Sequence, residues 1–283
     1  MFGINPELFS ADNLKSMKSK RNCLQIMVLM LSIFAALALI TGCNSDSPVN
    51  PILHDDYRVQ GIMVMDRNSD SVVVAVAFER NDTTYGGGTV KFGTTTLSFN
   101  DSLFSVDSVF SYHDDSSAIF AGEQFALRLE DDGWLVDTFI VSAVDTFSLT
   151  DVFDPVNHIL PGAAQLSFEW TTAPGAEVYV VAAVPSEQAY TGAGYSAFVT
   201  LIGTAGTIPP DAFLIPGTSE PDTGLFNVYA YAVNGAPDNA LASEVLPVPL
   251  PGQLDDNLSG RNADGRFGTV SVTLLDTVRV VVE

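Results

Sequence analysis

Basic residues are scarce in this sequence. Its 283 residues include 12 lysines and arginines against 34 aspartates and glutamates, a formal net charge of −22 at pH 7. Four of the bases and two of the acids precede Cys43, so the part that begins there has eight bases, 32 acids and a net charge of −24. Such a surface repels phosphate backbones and anionic lipid head groups. We therefore expect no nucleic-acid partner.

Histidine and cysteine are also rare, with three and two residues. His54, His113 and His158 do not have the spacing of a metal-binding motif. Only His113 has serines and acids beside it, and triad members usually converge from distant parts of a chain. Glycines 86–88 are not followed by the lysine of a phosphate loop. We therefore expect no catalytic site. His113 is predicted to lie in a solvated loop, the other histidines in linkers, and the glycines in a mobile hairpin.

The amino-terminal region has the order of a secretory signal peptide. From Met17, a short basic stretch is followed by the apolar residues 24–40 and then by small residues. Residues 1–16 show no such feature, so Met17 is the predicted start. The apolar segment is just long enough to cross a bilayer, and a retained transmembrane anchor is the alternative.

The end of this segment favours cleavage. Ile40, Thr41, Gly42 and Cys43 resemble the lipobox of bacterial lipoproteins, in which an aliphatic residue and two small ones precede a cysteine. The resemblance implies that the Cys43 thiol receives a diacylglycerol, that the chain is cut before it, and that acyl chains hold the protein to a membrane of the bacterial cell envelope. Cys23 would leave with the leader, so the mature chain would have no intramolecular disulfide.

After Cys43 the sequence predicts an all-β protein made of two β-sandwiches. Short apolar or alternating runs recur between turn signals. Residues 125–130 alternate as a strand with one wet face does, and the Asp132-Gly133 step predicts a tight hairpin after them. The predicted order is a leader with a signal helix at 1–42, a flexible tether at 43–56, a sandwich at 57–150, a linker at 151–162, a second sandwich at 163–248, and a carboxy-terminal loop and strands at 249–283 that pack on a sandwich.

Motifs between residues 160 and 248 carry a family resemblance. A tryptophan ends one predicted strand and a tyrosine lies on the next; a turn with a proline then leads into an alternating strand that ends in Ala-x-Asn. This order is similar to that of fibronectin type III domains, which are immunoglobulin-like sandwiches. Phe226 stands where that family has a corner tyrosine, so we expect this corner to differ. The matching residues are Trp170, Tyr179, Ile215, Pro216, Ala232 and Asn234.

The resemblance implies which side chains fill the core. The inward set is Phe226, Val228, Ala230 and Ala232 on one strand and Tyr179, Val181 and Ala183 on its neighbour. The opposite face is also apolar and includes Tyr229, Tyr231, Val180 and Ala182. Apolar area of this kind is usually covered or binds something. We predict that this face is either a docking face for a protein or glycan, or is covered by the first sandwich or the carboxy-terminal strands. The solvent exposure of the two tyrosine rings distinguishes these alternatives.

The best metal candidate is the loop at 255–266. Asp255, Asn257 and Ser259 occupy positions 1, 3 and 5 of an EF-hand-like calcium loop, and Asp264 could add a ligand. Arg266, however, stands where that loop needs a bidentate glutamate. A structural calcium ion is one interpretation, and an ordinary turn rich in Asp and Asn is the alternative. We expect no other cofactor.

These features predict a membrane-anchored envelope or surface lipoprotein that acts as a non-catalytic binding or structural module. Its partners would be the membrane, through Cys43, and a protein or glycan. One alternative is an extracytoplasmic hydrolase of glycans or peptides, because 32 acids offer many possible pairs of catalytic carboxylates. The distance between two carboxylates in the folded chain determines whether they can act as such a pair. Another is an accessory subunit of a secretion or surface complex.

Overall fold

The computed structural model describes residues 56–67, 69–100, 104–114, 121–150, 158–162, 164–186, 194–199, 203–215 and 217–282. The predicted leader, the lipobox with Cys43 and the tether up to residue 55 lie outside these residues, as does most of the predicted linker. Within the described ranges, no helix is both long and apolar enough to cross a membrane.

Strands dominate the described residues, which confirms the all-β prediction. The first half contains β1 (Tyr57–Asp66), β2 (Ser71–Arg80), β3 (Thr83–Thr84), β4 (Thr89–Phe92), β5 (Thr95–Thr96), β6 (Ser98–Asn100), β7 (Val109–Asp114), β8 (Gln124–Asp131) and β9 (Trp134–Ser142). The second half contains β10 (Ile159–Pro161), β11 (Leu166–Glu169), β12 (Val178–Pro185), β13 (Tyr195–Val199), β14 (Ala205–Ile208), β15 (Gly224–Gly235), β16 (Leu258–Ser259) and β17 (Ala263–Val281). Two short helical elements accompany them, a 3₁₀ turn at Pro210–Phe213 and the helix α1 at Asn239–Val245.

One large sheet runs through both predicted sandwiches. Its strand order is β13-β12-β15-β17-β1-β2-β7-β6. The 19-residue strand β17 lies in the middle, antiparallel to β15 and parallel to β1. The carboxy-terminal strand was predicted to pack on a sandwich; it instead belongs to a sheet that both halves share. Leu53–Glu283 form one compact unit.

The first hydrophobic core lies between this sheet and a smaller sheet of order β5-β4-β8-β9. Valine and phenylalanine suit such a half-buried pleated surface because their bulky side chains pack well against neighbouring strands. The alternation predicted for residues 125–130 is confirmed: Leu127 and Leu129 are buried, and Arg128 between them is exposed. The large sheet contributes alternate residues of β2, namely Val72, Val74, Val76 and Phe78.

The second core lies between the same large sheet and the two-stranded sheet β11-β14. Its buried cluster contains the whole set predicted to point inward: Phe226, Val228, Ala230, Ala232, Tyr179, Val181 and Ala183. Trp170 is also buried, with its ring centroid 5.3 Å from that of Tyr179. The Tyr179 hydroxyl accepts a hydrogen bond from the Ala173 N–H at 2.7 Å. The predicted register of β12 and β15 is therefore confirmed.

A β-bulge in the last part of β17 keeps its side chains directed into the second core. Val228 pairs with Asp276 and Tyr229 with Leu274, so Leu275 is an extra residue. Side chains alternate strictly along a strand, and one extra residue reverses the faces. Leu275 and, after the bulge, Val278 therefore both reach the second core.

The two local predictions about turns have different outcomes. Asp132 and Gly133 have φ angles of +48° and +79° between β8 and β9, as a two-residue type I′ hairpin requires, so that hairpin is confirmed. Glycines 86–88 do not form a hairpin, because they join β3 of the large sheet to β4 of the small one. At Gly88 the backbone passes close to the Phe78 ring, because a Cβ built on this glycine would lie 2.6 Å from that ring.

Candidate functional site

The four residues of the predicted docking face do lie together on β12 and β15. Val180 pairs with Tyr231 and Ala182 with Tyr229, and the two tyrosine rings are 6.3 Å apart. All but Tyr229, however, are fully buried in a third hydrophobic cluster, with no exposed side-chain area. Tyr229 is half-buried against the same cluster. Of the two predicted alternatives, the structure therefore supports cover of this face within the chain for Tyr231, Val180 and Ala182.

Helix α1 and the extended segment after it, residues 246–250, cover this face; we call that segment the strap. Leu241 and Ala242 of the helix are buried in the third cluster. In the strap, every second side chain points inward, and these are Leu246, Val248 and Leu250. Prolines alternate with them on the exposed side, where they favour an extended chain. The cover is thus mainly the segment between β15 and the carboxy-terminal strands, and Phe104 and Val106 of the first half pack against the same cluster.

Polar contacts hold this cover in place. The Tyr231 hydroxyl donates to the Val248 carbonyl at 3.2 Å and accepts from the Val248 N–H at 3.1 Å. Burial raises the pKa of Tyr231, so its hydroxyl stays protonated and can donate. At the start of α1, the Asp238 carboxylate accepts from the N–H groups of Ala240 and Leu241, both at 3.1 Å.

Replacement of Tyr231 by phenylalanine tests this arrangement. We expect a loss of about 1–3 kcal/mol in the free energy of unfolding, because the buried Val248 N–H loses its acceptor. Urea unfolding followed by circular dichroism measures it. The matched variant Tyr229→Phe, on the half-buried neighbour, should change stability by less than about 0.5 kcal/mol. Equal effects of the two variants would contradict a specific role for the Tyr231 hydroxyl.

The residues of the predicted calcium loop do not come together as a ligand set. Asp255 and Asn257 line one cleft, and Ser259 and Asp264 line another hollow. The Asn257 side chain is bonded at both ends to the backbone of Phe267, at 2.9 and 3.0 Å. The described part of the chain holds no group of three His, Cys, Asp or Glu side chains suited to a metal ion. The predicted ligands are therefore divided between two hollows, and the Asn257 side chain is already engaged by the backbone.

A buried carboxylate at one end of the first sandwich was not predicted. Asp131 is only 6% exposed and accepts hydrogen bonds from the hydroxyls of Tyr57, at 2.5 Å, and Tyr85, at 2.6 Å. An Arg80 guanidinium nitrogen lies 3.2 Å from the same carboxylate, and the guanidinium carbon is 5.2 Å from the Tyr85 ring centre. The hydrogen bond to Asp131 raises the pKa of Tyr85. We call these four residues the Asp131 cluster.

A second polar feature is a hollow lined by three carboxylates. Glu79, Asp82 and Asp107 line it together with Phe99, and its volume is about 450 Å³. Burial raises the pKa of the Glu79 carboxyl; Arg58 opposes that rise, whereas Asp82 and Asp107 add to it. A carboxyl with a raised pKa beside other carboxylates has the charge pattern of an acid and base pair.

A third feature is a cleft between the two sandwiches, with a volume of about 650 Å³. Its floor is the first part of β17, at residues 267–269, and β9 forms one wall with residues 140–142. The other wall is the start of β12 and the end of β15, and the segment 254–258 closes one side. Two predicted calcium ligands, Asp255 and Asn257, therefore belong to this cleft.

Comparisons with known proteins do not assign a family. No protein-family model and no curated protein matches the chain. Among solved structures, it is weakly similar to DIP-gamma IG1+IG2, at 8% identity and a TM-score of 0.20, over 75% of this chain and 97% of that one. It is also weakly similar to an I-band fragment of titin, at 7% identity and a TM-score of 0.20, over 80% and 98%. The fold assignment therefore rests on the strands and cores described above.

The histidine considered for a catalytic triad lies on a strand and not in the predicted loop. His113 is an exposed residue of β7, opposite Val73 of β2. The serines that follow it in sequence lie outside the described residues. Next to it, the Tyr112 hydroxyl donates to the Asp114 carboxylate at 2.8 Å.

Proposed function

We propose that this protein is a membrane-anchored envelope lipoprotein that works as a non-catalytic binding or structural module. The observation that carries the proposal is the order of features at the amino terminus: a basic stretch, the apolar residues 24–40, and the lipobox-like residues 40–43. Twelve residues, 44–55, lie between Cys43 and the first described residue, Asp56, which leads directly into β1. The proposed tether would therefore end where β1 begins, and β1 is an interior strand of the large sheet.

The use of polar groups in the interior supports a structural or binding role. The Asp131 carboxylate is occupied by two tyrosine hydroxyls and Arg80. The buried Thr269 hydroxyl donates to the Ser142 carbonyl at 2.9 Å and accepts from the Val144 N–H at 3.1 Å. These groups stabilise the packing of strands, so they are not free to act on a substrate.

The anchor is tested by replacing Cys43 with serine, because only a thiol forms the thioether. In a bacterial host fed an alkyne-labelled fatty acid, the wild-type protein should take up the label and sediment with membranes. The Cys43→Ser variant should carry no label and keep its leader. Intact mass spectrometry of the purified protein reads both changes.

The second cysteine provides a matched control. Cys23 lies in the predicted leader, so Cys23→Ser should leave labelling and the mature mass unchanged. A wild-type product with an intact leader or an unmodified Cys43 thiol would overturn the proposed anchor.

A hydrolase is the second candidate, and the carboxylate-lined hollow at Glu79 is the observation that favours it. A general acid needs a raised pKa, and its partner carboxylate must lie close by. The two functions differ in one measurement, the release of reducing sugars or peptide fragments from cell-wall material by the purified protein. Release that disappears in Glu79→Gln would favour the hydrolase over the non-catalytic module.

A further inference from the structure

We infer that the cleft between the two sandwiches binds a peptide segment in which a lysine or arginine lies next to an aliphatic side chain. This inference rests on the proposed binding function and names its ligand class. Ligand pockets usually measure about 300–1,000 Å³ and often lie between domains; the cleft has about 650 Å³ and lies between two cores. It has room for two or three side chains.

The first argument is apolar exposure inside the cleft. Ile140 on the β9 wall is 65% exposed, although its chain neighbour Val141 is buried. Val178 on the opposite wall and Leu254 at the closed side are partly buried. Apolar side chains that converge on a concave surface favour an aliphatic ligand group, which removes them from water.

The second argument is charge. The cleft is lined by the carboxylates of Glu177 and Asp255, and no lysine or arginine is among its described lining residues. Glu177 is held at the rim because it accepts a hydrogen bond from the Gly235 N–H at 3.1 Å. The nearby Arg266 donates to the Leu254 carbonyl at 3.4 Å and is paired with Asp256 at 2.6 Å. A cationic group is therefore attracted and an anionic one repelled, in a chain whose overall charge is already strongly negative.

The two arguments together define the ligand. A free amine or a metal ion would use only the carboxylates, and a neutral lipid only the apolar walls. A peptide with alternating basic and aliphatic residues uses both, because successive side chains of an extended segment point to opposite sides. Neither Glu177 nor Asp255 lies in the Asp131 cluster or in the carboxylate-lined hollow, so this site is separate from both.

The test is calorimetric titration of the full chain, purified in a non-ionic detergent, with an acetylated and amidated pentapeptide of alternating lysine and leucine. We expect saturable binding of this probe and none of the matching glutamate and leucine peptide. The double variant Glu177→Gln with Asp255→Asn should weaken binding about tenfold, because two exposed charge pairs are lost. Ile140→Ser should weaken it by about three- to tenfold through lost apolar burial.

A matched double variant separates the cleft from the general acidity of the chain. Glu169→Gln with Asp211→Asn removes two exposed acids that do not line the cleft, and it should change affinity by less than about twofold. Equal weakening by both double variants would overturn the inference. So would equal binding of the acidic peptide, or cross-linked dimers that Ile140→Ser abolishes, since the cleft would then hold a second copy. Fatty-acid labelling of Cys43 is independent of all these results.

Discussion

Replacement of Asp131 by alanine should lower the free energy of unfolding by about 2–4 kcal/mol, because a buried carboxylate is removed and two hydroxyl donors lose their acceptor. Two tyrosine hydroxyls and the Arg80 guanidinium would lose the carboxylate that they share. The cluster joins β1, β2 and β8, so the loss affects both sheets of the first sandwich. Denaturant unfolding monitored by tryptophan fluorescence and circular dichroism measures the change.

Two further variants make the result specific. Asp131→Asn keeps the shape but removes the charge, so we expect a loss smaller than that of the alanine variant. Asp132→Asn removes a neighbouring charge and keeps a residue that tolerates the positive φ of +48°, so stability should change by less than about 0.5 kcal/mol. A loss in Asp132→Asn as large as in Asp131→Ala would mean that net charge, and not the buried cluster, governs stability.

Replacement of Gly265 by alanine should destabilise the protein by about 2–5 kcal/mol, since it combines backbone strain with overpacking. Gly265 has a φ of +136° and pairs with Val59 where β17 runs parallel to β1. A Cβ there would lie 1.9 Å from the Val59 carbonyl oxygen, so the two strands would have to separate. This pairing connects the two halves of the large sheet. Thermal and urea unfolding would both report the loss.

Gly252 supplies the control for this prediction. Nothing lies within 4 Å of a Cβ built on Gly252, and its φ is not in the left-handed region. Gly252→Ala should therefore be neutral, or stabilising by less than about 1 kcal/mol, because it reduces the freedom of the unfolded chain. If Gly265→Ala were as mild as Gly252→Ala, the parallel pairing of β1 and β17 would be in doubt.

The core of the second sandwich could be predicted because strand side chains alternate with a period of two. Once Trp170 and Tyr179 were placed inward, that period assigned the remaining inward positions of β12 and β15, and all of them are buried in one cluster. The Asp132-Gly133 hairpin could be predicted for a similarly local reason, since few residues tolerate positive φ.

The cover over the opposite face could not be predicted in this way. Helix α1 has only seven residues, too few to show a helical period, and its start depends on the cap at Asp238. The alternation of apolar residues and prolines in the strap resembles a strand or a linker equally well. Its position against Tyr231 depends on a contact across 17 residues of sequence. Without that contact, an apolar face is indistinguishable from a docking surface.

The sequence by itself determined the composition, the lipobox-like motif and the all-β class, because each depends on residue types at short spacing. Only the tertiary structure decided that one sheet joins both halves through β17, and that Tyr231 is covered while Ile140 is exposed in a cleft. The same holds for Asp131, which meets Tyr57 from 74 residues away. Such meetings depend on how the chain closes on itself, and local patterns carry no information about them.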